Sequence, residues 1–122
     1  VYEYKYNAMV VRVVDGDTLE VRFDLGFGIS FTEKLRLQRV NTPEVWGVKK
    51  ESAEYKRGKL ATAFTQQWVD DTNSVIVVKT AKDRKGGRGR YMAEVYNSVG
   101  ENLQDALIAA GHDKNSPLTY QD

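Results

Sequence analysis

The chain has 122 residues, 41% of them hydrophobic, with 18 Lys and Arg against 17 Asp and Glu; this suffices for one globular domain, and the net charge is too small to signal a polyanionic partner. It has no cysteine and a single histidine, His112, which excludes disulfides, thiolate chemistry and thiolate- or histidine-rich zinc sites and leaves oxygen ligands for any metal. No apolar run nears the ~20 residues of a membrane span, and no signal peptide precedes VYEYKYN; because the first residue is Val1, secretion after leader removal and a cytoplasmic location both stay open.

Residues 8–14 (AMVVRVV) and 18–23 (TLEVRF) predict two strands, the second with Leu19, Val21 and Phe23 alternating with Glu20 and Arg22. Asp15-Gly16 between them predicts a type I′ hairpin turn with positive φ at both positions. Asp17 is surplus to that turn, and reads either as one more turn cap or as a functional carboxylate. Gly26 and Gly28 predict a second turn, after which FTEKLRLQRV at 31–40 forms a third strand that stops at NTPE, where Pro43 forbids helix at Thr42. From residue 51 to 72 the period becomes helical, with Leu60, Ala63, Phe64, Gln67 and Trp68 on one face and Gly58 as a weak point. VIVVK at 75–79 and YMAEVY at 91–96 predict the last two strands; between them Lys82, Arg84, Lys85, Arg88 and Arg90 outweigh Asp83. A helix over 102–110 carries Leu103, Ala106, Leu107 and Ala110 on one face and ends at Gly111, an αL cap, with His112 placed as a charge partner for the helix dipole. The expected fold is α+β, mainly β: one domain, residues 1–122, built as a five-stranded OB-type barrel with two packed helices.

Taken singly, the polar residues read blandly. Arg36, Arg39 and Arg90 are solvent-facing strand charges, Glu44 is a turn acid, and the Gly/Lys/Arg segment is a hairpin tip or a phosphate-binding loop. Taken in order, VVDGDT, LRLQRVNTPE, the amphipathic helix, GRGRYMAEVY and NLQDALIAAG resemble the staphylococcal nuclease family of calcium-dependent nucleases across about residues 8–111. The resemblance implies an OB barrel and assigns roles. Asp17 is the metal-binding aspartate, Thr42 the residue whose backbone carbonyl completes the metal site, and Asn41 stands where the family usually has a second, acidic ligand. Arg36 and Arg90 are the phosphate-binding arginines, with Arg88 a rival for the second, and Glu44 positions or deprotonates the attacking water.

That set has a chemical logic. A phosphodiester repels hydroxide, so hydrolysis needs a hard cation, donors that grip the charge growing at phosphorus, and a base; guanidinium forks match phosphate oxygens where a lysine offers only a point charge. The implied cofactor is Ca2+ and the implied substrates are DNA and RNA, single strands preferred, cleaved with low sequence specificity by a monomer. Lys85, Arg88 and Trp46 would grip the strand. The chain stops at Asp122, where family members normally continue into a third helix. The alternative is a non-catalytic or weakly active OB-fold module binding single-stranded nucleic acid, because Asn41 removes a full charge from the metal site.

Overall fold

The computed structural model describes residues 4–85 and 91–114, with side chains for residues 4–80 and 91–114. Five strands, β1 (Tyr4–Asp15), β2 (Thr18–Asp24), β3 (Ser30–Leu37), β4 (Val75–Lys85) and β5 (Tyr91–Tyr96), close into a barrel in the order β1-β2-β3-β5-β4. Neighbours are antiparallel except β3 and β5, which run parallel. Closure pairs the strand edges that an open sheet would expose. β1 serves both β2 and β4, and its register with β2 slips between Val10 and Arg12, a bulge that bends the strand.

Alternation decides what lies inside. Ala8 and Val10 of β1, Leu19, Val21 and Phe23 of β2, Leu35 and Leu37 of β3, Ile76 and Val78 of β4, and Ala93 and Val95 of β5 are buried and form one cluster, as the period-2 pleat requires. Val40 just after β3, Leu103 and Leu107 of α2 (Leu103–Ala109) and Val69 of α1 (Ala53–Asp71) complete it. Ser52 caps α1 by accepting a hydrogen bond from the Tyr55 N–H at 3.1 Å. Asn102 caps α2 in the same way through the Asp105 N–H, at 2.8 Å. Gln104, fully buried, donates to the Ala93 carbonyl at 2.8 Å and accepts from the Val95 N–H at 3.1 Å, so α2 is locked to β5 through its backbone.

Two sequence expectations about the helices need correction. The face of α1 turned to the barrel is Gly58, Ala61, Thr65 and Val69, not the face centred on Leu60 and Ala63; Leu60 is 62% exposed, while Phe64 and Trp68 pack only along the border of the core. Small residues fill that face because α1 lies close against the β1–β2 turn and the Pro43–Val45 segment, where larger side chains have no room. His112 is not a dipole partner. It packs on Phe64 with ring centroids 5.0 Å apart, and burial lowers its pKa below 6.5, favouring the neutral ring. α2 ends instead in a Schellman motif, with the Gly111 and His112 N–H groups bonded to the carbonyls of Ile108 and Leu107. Among the described residues no helix is long and apolar enough to cross a membrane.

Candidate active site

The β1–β2 turn is centred on Gly16 and Asp17, closed by the Asp15↔Thr18 pair. None of Asp15, Gly16 and Asp17 has positive φ, so the expected type I′ turn is not formed. Glycine is required at 16 for another reason. A Cβ there would lie 2.8 Å from Thr42 Oγ1 and 2.9 Å from Ala61 Cβ, so only a bare backbone lets the turn sit between α1 and the segment after β3. Thr65 Oγ1 donates to the Gly16 carbonyl at 2.7 Å, and the Leu37 N–H donates to the Asp17 carbonyl at 2.9 Å. The turn is thus held rigidly from two sides.

The turn's own cap is Asp15, whose Oδ1 accepts from the Asp17 N–H at 3.2 Å. Asp17 is free to reach across the fold. It is 5% exposed; its Oδ1 accepts from Thr18 Oγ1 at 3.2 Å, its Oδ2 accepts from the Thr42 N–H at 3.0 Å, and Arg36 Nη2 lies 3.3 Å from Oδ2. Burial, and then the neighbouring Asp17 carboxylate, push Asp15 up to about 7, as expected for two acids sharing a dry corner.

Arg36 opposes Thr18 across β2–β3 and Met92 across β3–β5. It is not the solvent-facing charge that strand alternation suggests: its side chain is 18% exposed. Nη1 donates to the carbonyls of Leu37 and Val40, and Nη2 donates to Asn41 Oδ1 at 3.2 Å while facing Asp17. The Asp17 carboxylate and the Asn41 amide oxygen therefore converge on one cationic nitrogen. Asn41 is held in turn by Asp113, whose Oδ1 accepts its N–H at 3.3 Å, a contact nothing in the local sequence announces. Arg39 is the solvent-facing charge expected, its side chain 47% exposed, but it lies past the end of β3 at φ 66° and pairs with Glu94 at 2.7 Å and Asp105 at 3.2 Å, tying that segment to β5 and α2.

A buried aspartate, an arginine fork and an amide oxygen are thus gathered behind a rigid turn. The sequence matches the staphylococcal nuclease homologue family over residues 34–117. The chain belongs to that family. It is also 29% identical, over 113 residues, to endonuclease YhcR of Bacillus subtilis (strain 168); the aligned part is 90% of this chain and 9% of that protein.

In this nuclease homologue the matched span holds Arg36, Asn41, Thr42 and Glu44, and the β1–β2 turn brings Asp17 from outside it to Arg36 and Thr42. Glu44 is half-buried, on a segment against which α1 packs so closely that a Cβ on Gly58 would lie 2.6 Å from the Pro43 carbonyl and 2.7 Å from the Glu44 carbonyl. Gly58, the weak point of the helical pattern, is therefore the contact that seats the Glu44 segment. Among the described residues no three acidic, imidazole or thiol side chains gather into a metal-holding group. The donors that do converge, the Asp17 carboxylate and the neutral Asn41 oxygen, fit a hard cation completed by backbone oxygen and water. Trp46 is 66% exposed. Arg88 and Arg90 lie outside the described residues and so does the side chain of Lys85; Tyr91, which follows Arg90, opens β5 opposite Leu35, the neighbour of Arg36.

Proposed function

We propose that this protein is a calcium-dependent nuclease that hydrolyses phosphodiester bonds of DNA and RNA with little sequence specificity, acting as a monomeric single domain and preferring single strands. The observation that carries the reading is the convergence of Asp17 and Asn41 on Arg36 Nη2, with Glu44 on the adjoining segment. Membership of a nuclease family and the likeness to an endonuclease agree with it. Asp17, Asn41 and the Thr42 carbonyl would hold the calcium ion, which supplies neutralisation of a non-bridging phosphate oxygen.

The chain's own residues do the rest. Arg36 exchanges the Leu37 and Val40 carbonyls for non-bridging phosphate oxygens, and its fork strengthens as charge grows at phosphorus. Glu44 takes a proton from the attacking water as the water oxygen bonds to phosphorus and the bond to the leaving oxygen breaks. Arg90 donates on the leaving side, and Lys85, Arg88 and Trp46 grip the flanking strand.

One observation favours a second reading. Asn41 offers a neutral oxygen where a carboxylate would hold a cation more firmly, which suits a weakly active or non-catalytic binding module. Initial rates on denatured DNA and on RNA, with calcium, with magnesium and with chelator, decide between them. Cleavage that needs calcium supports the nuclease; full activity in chelator removes the metal. No cleavage, together with salt-dependent binding of a single-stranded oligonucleotide, leaves the module.

A further inference from the structure

Residues 38–52 form neither helix nor strand, so the position of Asn41 is set by what its peptide groups bond to. The two peptide units that flank it are each held from two sides. In the first, Arg36 Nη1 donates to the Val40 carbonyl at 2.6 Å and the Asn41 N–H donates to Asp113 Oδ1 at 3.3 Å. In the second, the Thr42 N–H donates to Asp17 Oδ2 at 3.0 Å and the Asn41 carbonyl accepts from the Lys114 N–H. One bond of each pair comes from the candidate site and the other from the segment after α2. That segment is itself fastened to α1: the His112 ring packs on Phe64, and Lys114 Nζ lies 3.0 Å from Glu54 Oε1 in the first turn of the helix. Residues 112–114 thus form a strap between the end of α2 and Asn41.

We propose that this strap is a positioning device for the calcium site, with Asp113 the positioning residue that keeps the Asn41 amide oxygen in place when Arg36 turns to the phosphate. This role rests on the nuclease reading. In the structure Arg36 itself steadies Asn41, through Nη2 on Oδ1 at 3.2 Å and through Nη1 on the Val40 carbonyl. Both bonds are given up when the guanidinium grips phosphate oxygens, at the moment Asn41 has to serve the cation. The first peptide unit then keeps its Asp113 bond and the second its Lys114 bond, and neither uses a group that calcium or phosphate takes. A neutral ligand needs such support more than a carboxylate does. The amide offers one oxygen where a carboxylate offers two, and no net charge draws the cation to it. Its affinity therefore depends on being held in the right orientation, and outer bonds that orient ligands commonly change metal affinity by about 10–100-fold.

The test measures calcium binding directly, by calorimetric titration of the protein without nucleic acid, beside the calcium dependence of initial cleavage rate on denatured DNA. Asp113→Ala should weaken calcium binding about threefold to tenfold, the worth of one hydrogen bond. It should raise the calcium concentration for half-maximal cleavage by a larger factor, because substrate has drawn Arg36 away from Asn41. At saturating calcium its rate should stay within about twofold of the parent's, since Asp113 touches no reacting group. Asp113→Asn keeps an acceptor oxygen without the charge and should restore most of the lost affinity. Equal calcium affinity in parent and Asp113→Ala, with a change confined to the urea midpoint, would make the bond merely structural and overturn the strap. Asp113→Asn as weak as Asp113→Ala would overturn it too, by assigning the effect to charge. So would an equal shift in binding and in cleavage, which would leave Arg36 on Asn41 throughout. A parent that binds no calcium fails the nuclease reading and the strap with it, whereas failure of the strap alone leaves the parent's calcium-dependent cleavage intact.

Discussion

In an exposed helix, replacing glycine with alanine stabilises by about 1 kcal/mol; Gly58→Ala in α1 should do the reverse. The new Cβ would lie 2.6 Å from the Pro43 carbonyl, 2.7 Å from the Glu44 carbonyl and 2.8 Å from Val45 Cγ1, and two of those three atoms are backbone that cannot rotate away. Either α1 backs off or the 43–45 segment is pushed out. Backing off strains the 2.7 Å bond from Thr65 Oγ1 to the Gly16 carbonyl and opens the Ala61–Gly16 contact. Overpacking of this kind costs roughly 1–3 kcal/mol and a weakened buried hydrogen bond about 1 kcal/mol more. After the helix-propensity gain, a net loss of about 1–3 kcal/mol remains. Equilibrium urea unfolding reads it as a lower midpoint at unchanged slope, and nuclease activity should fall as well because the Glu44 segment moves. Leu60→Ala is the paired control: with Leu60 62% exposed, the change should stay within about 0.5 kcal/mol. A higher midpoint for Gly58→Ala, or a loss of the ~2–5 kcal/mol typical of a buried leucine for Leu60→Ala, would refute the packing described for α1.

Asn41→Asp should lower the calcium concentration for half-maximal rate by on the order of tenfold, since a charged oxygen replaces a neutral one beside Asp17; a calcium titration of initial rate that shows no shift removes Asn41 from the ligands. Arg36→Lys should cost about a hundredfold in single-turnover rate and, because the side chain also ties down the Leu37 and Val40 carbonyls, about 1–3 kcal/mol in urea unfolding. Glu44→Gln should lose a similar factor in rate with a stability change under about 1 kcal/mol, so turnover like the parent's would end its assignment as base. Burial lowers the pKa of His112 from its ordinary 6.5, disfavouring the charged ring. Its contribution to stability is complete above 6.5 and is lost as pH falls from there through its lowered folded value. Asp15, raised to about 7 from 3.8, acts in the opposite sense, favouring the fold as pH falls through 7. The readout for His112 is therefore the difference between parent and His112→Phe in urea midpoint against pH, which should be constant above about pH 7 and shift in favour of the variant as pH falls below 6.5.

The strands were legible in the chain because a pleat writes itself locally. Leu19, Val21 and Phe23 alternate with polar neighbours whatever they pack against, and five strands and two helices form in the expected order, although β1 starts at Tyr4, β3 stops at Leu37 and β4 runs on to Lys85. The C-terminal end of α2 was legible for the same reason, since Gly111 acts on C=O groups within one turn of itself. Only the tertiary structure decided which face of α1 is buried. Hydrophobicity points to Leu60, but that face is set by how close the β1–β2 turn and the 43–45 segment approach, and closeness selects Gly58, Ala61 and Thr65. The site followed the same division. Asp17 is conspicuous in sequence as a carboxylate its turn does not need, whereas its partner Thr42 is 25 residues away, and Asn41 is steadied by Asp113, 72 residues away. Arg36 reads as a surface charge until closure of the barrel puts carbonyls and Asp17 around it. Periodicity and capping are contacts between near neighbours and are carried by the order of residues; burial, desolvation and the pairing of distant charges exist only once the chain has brought those residues together.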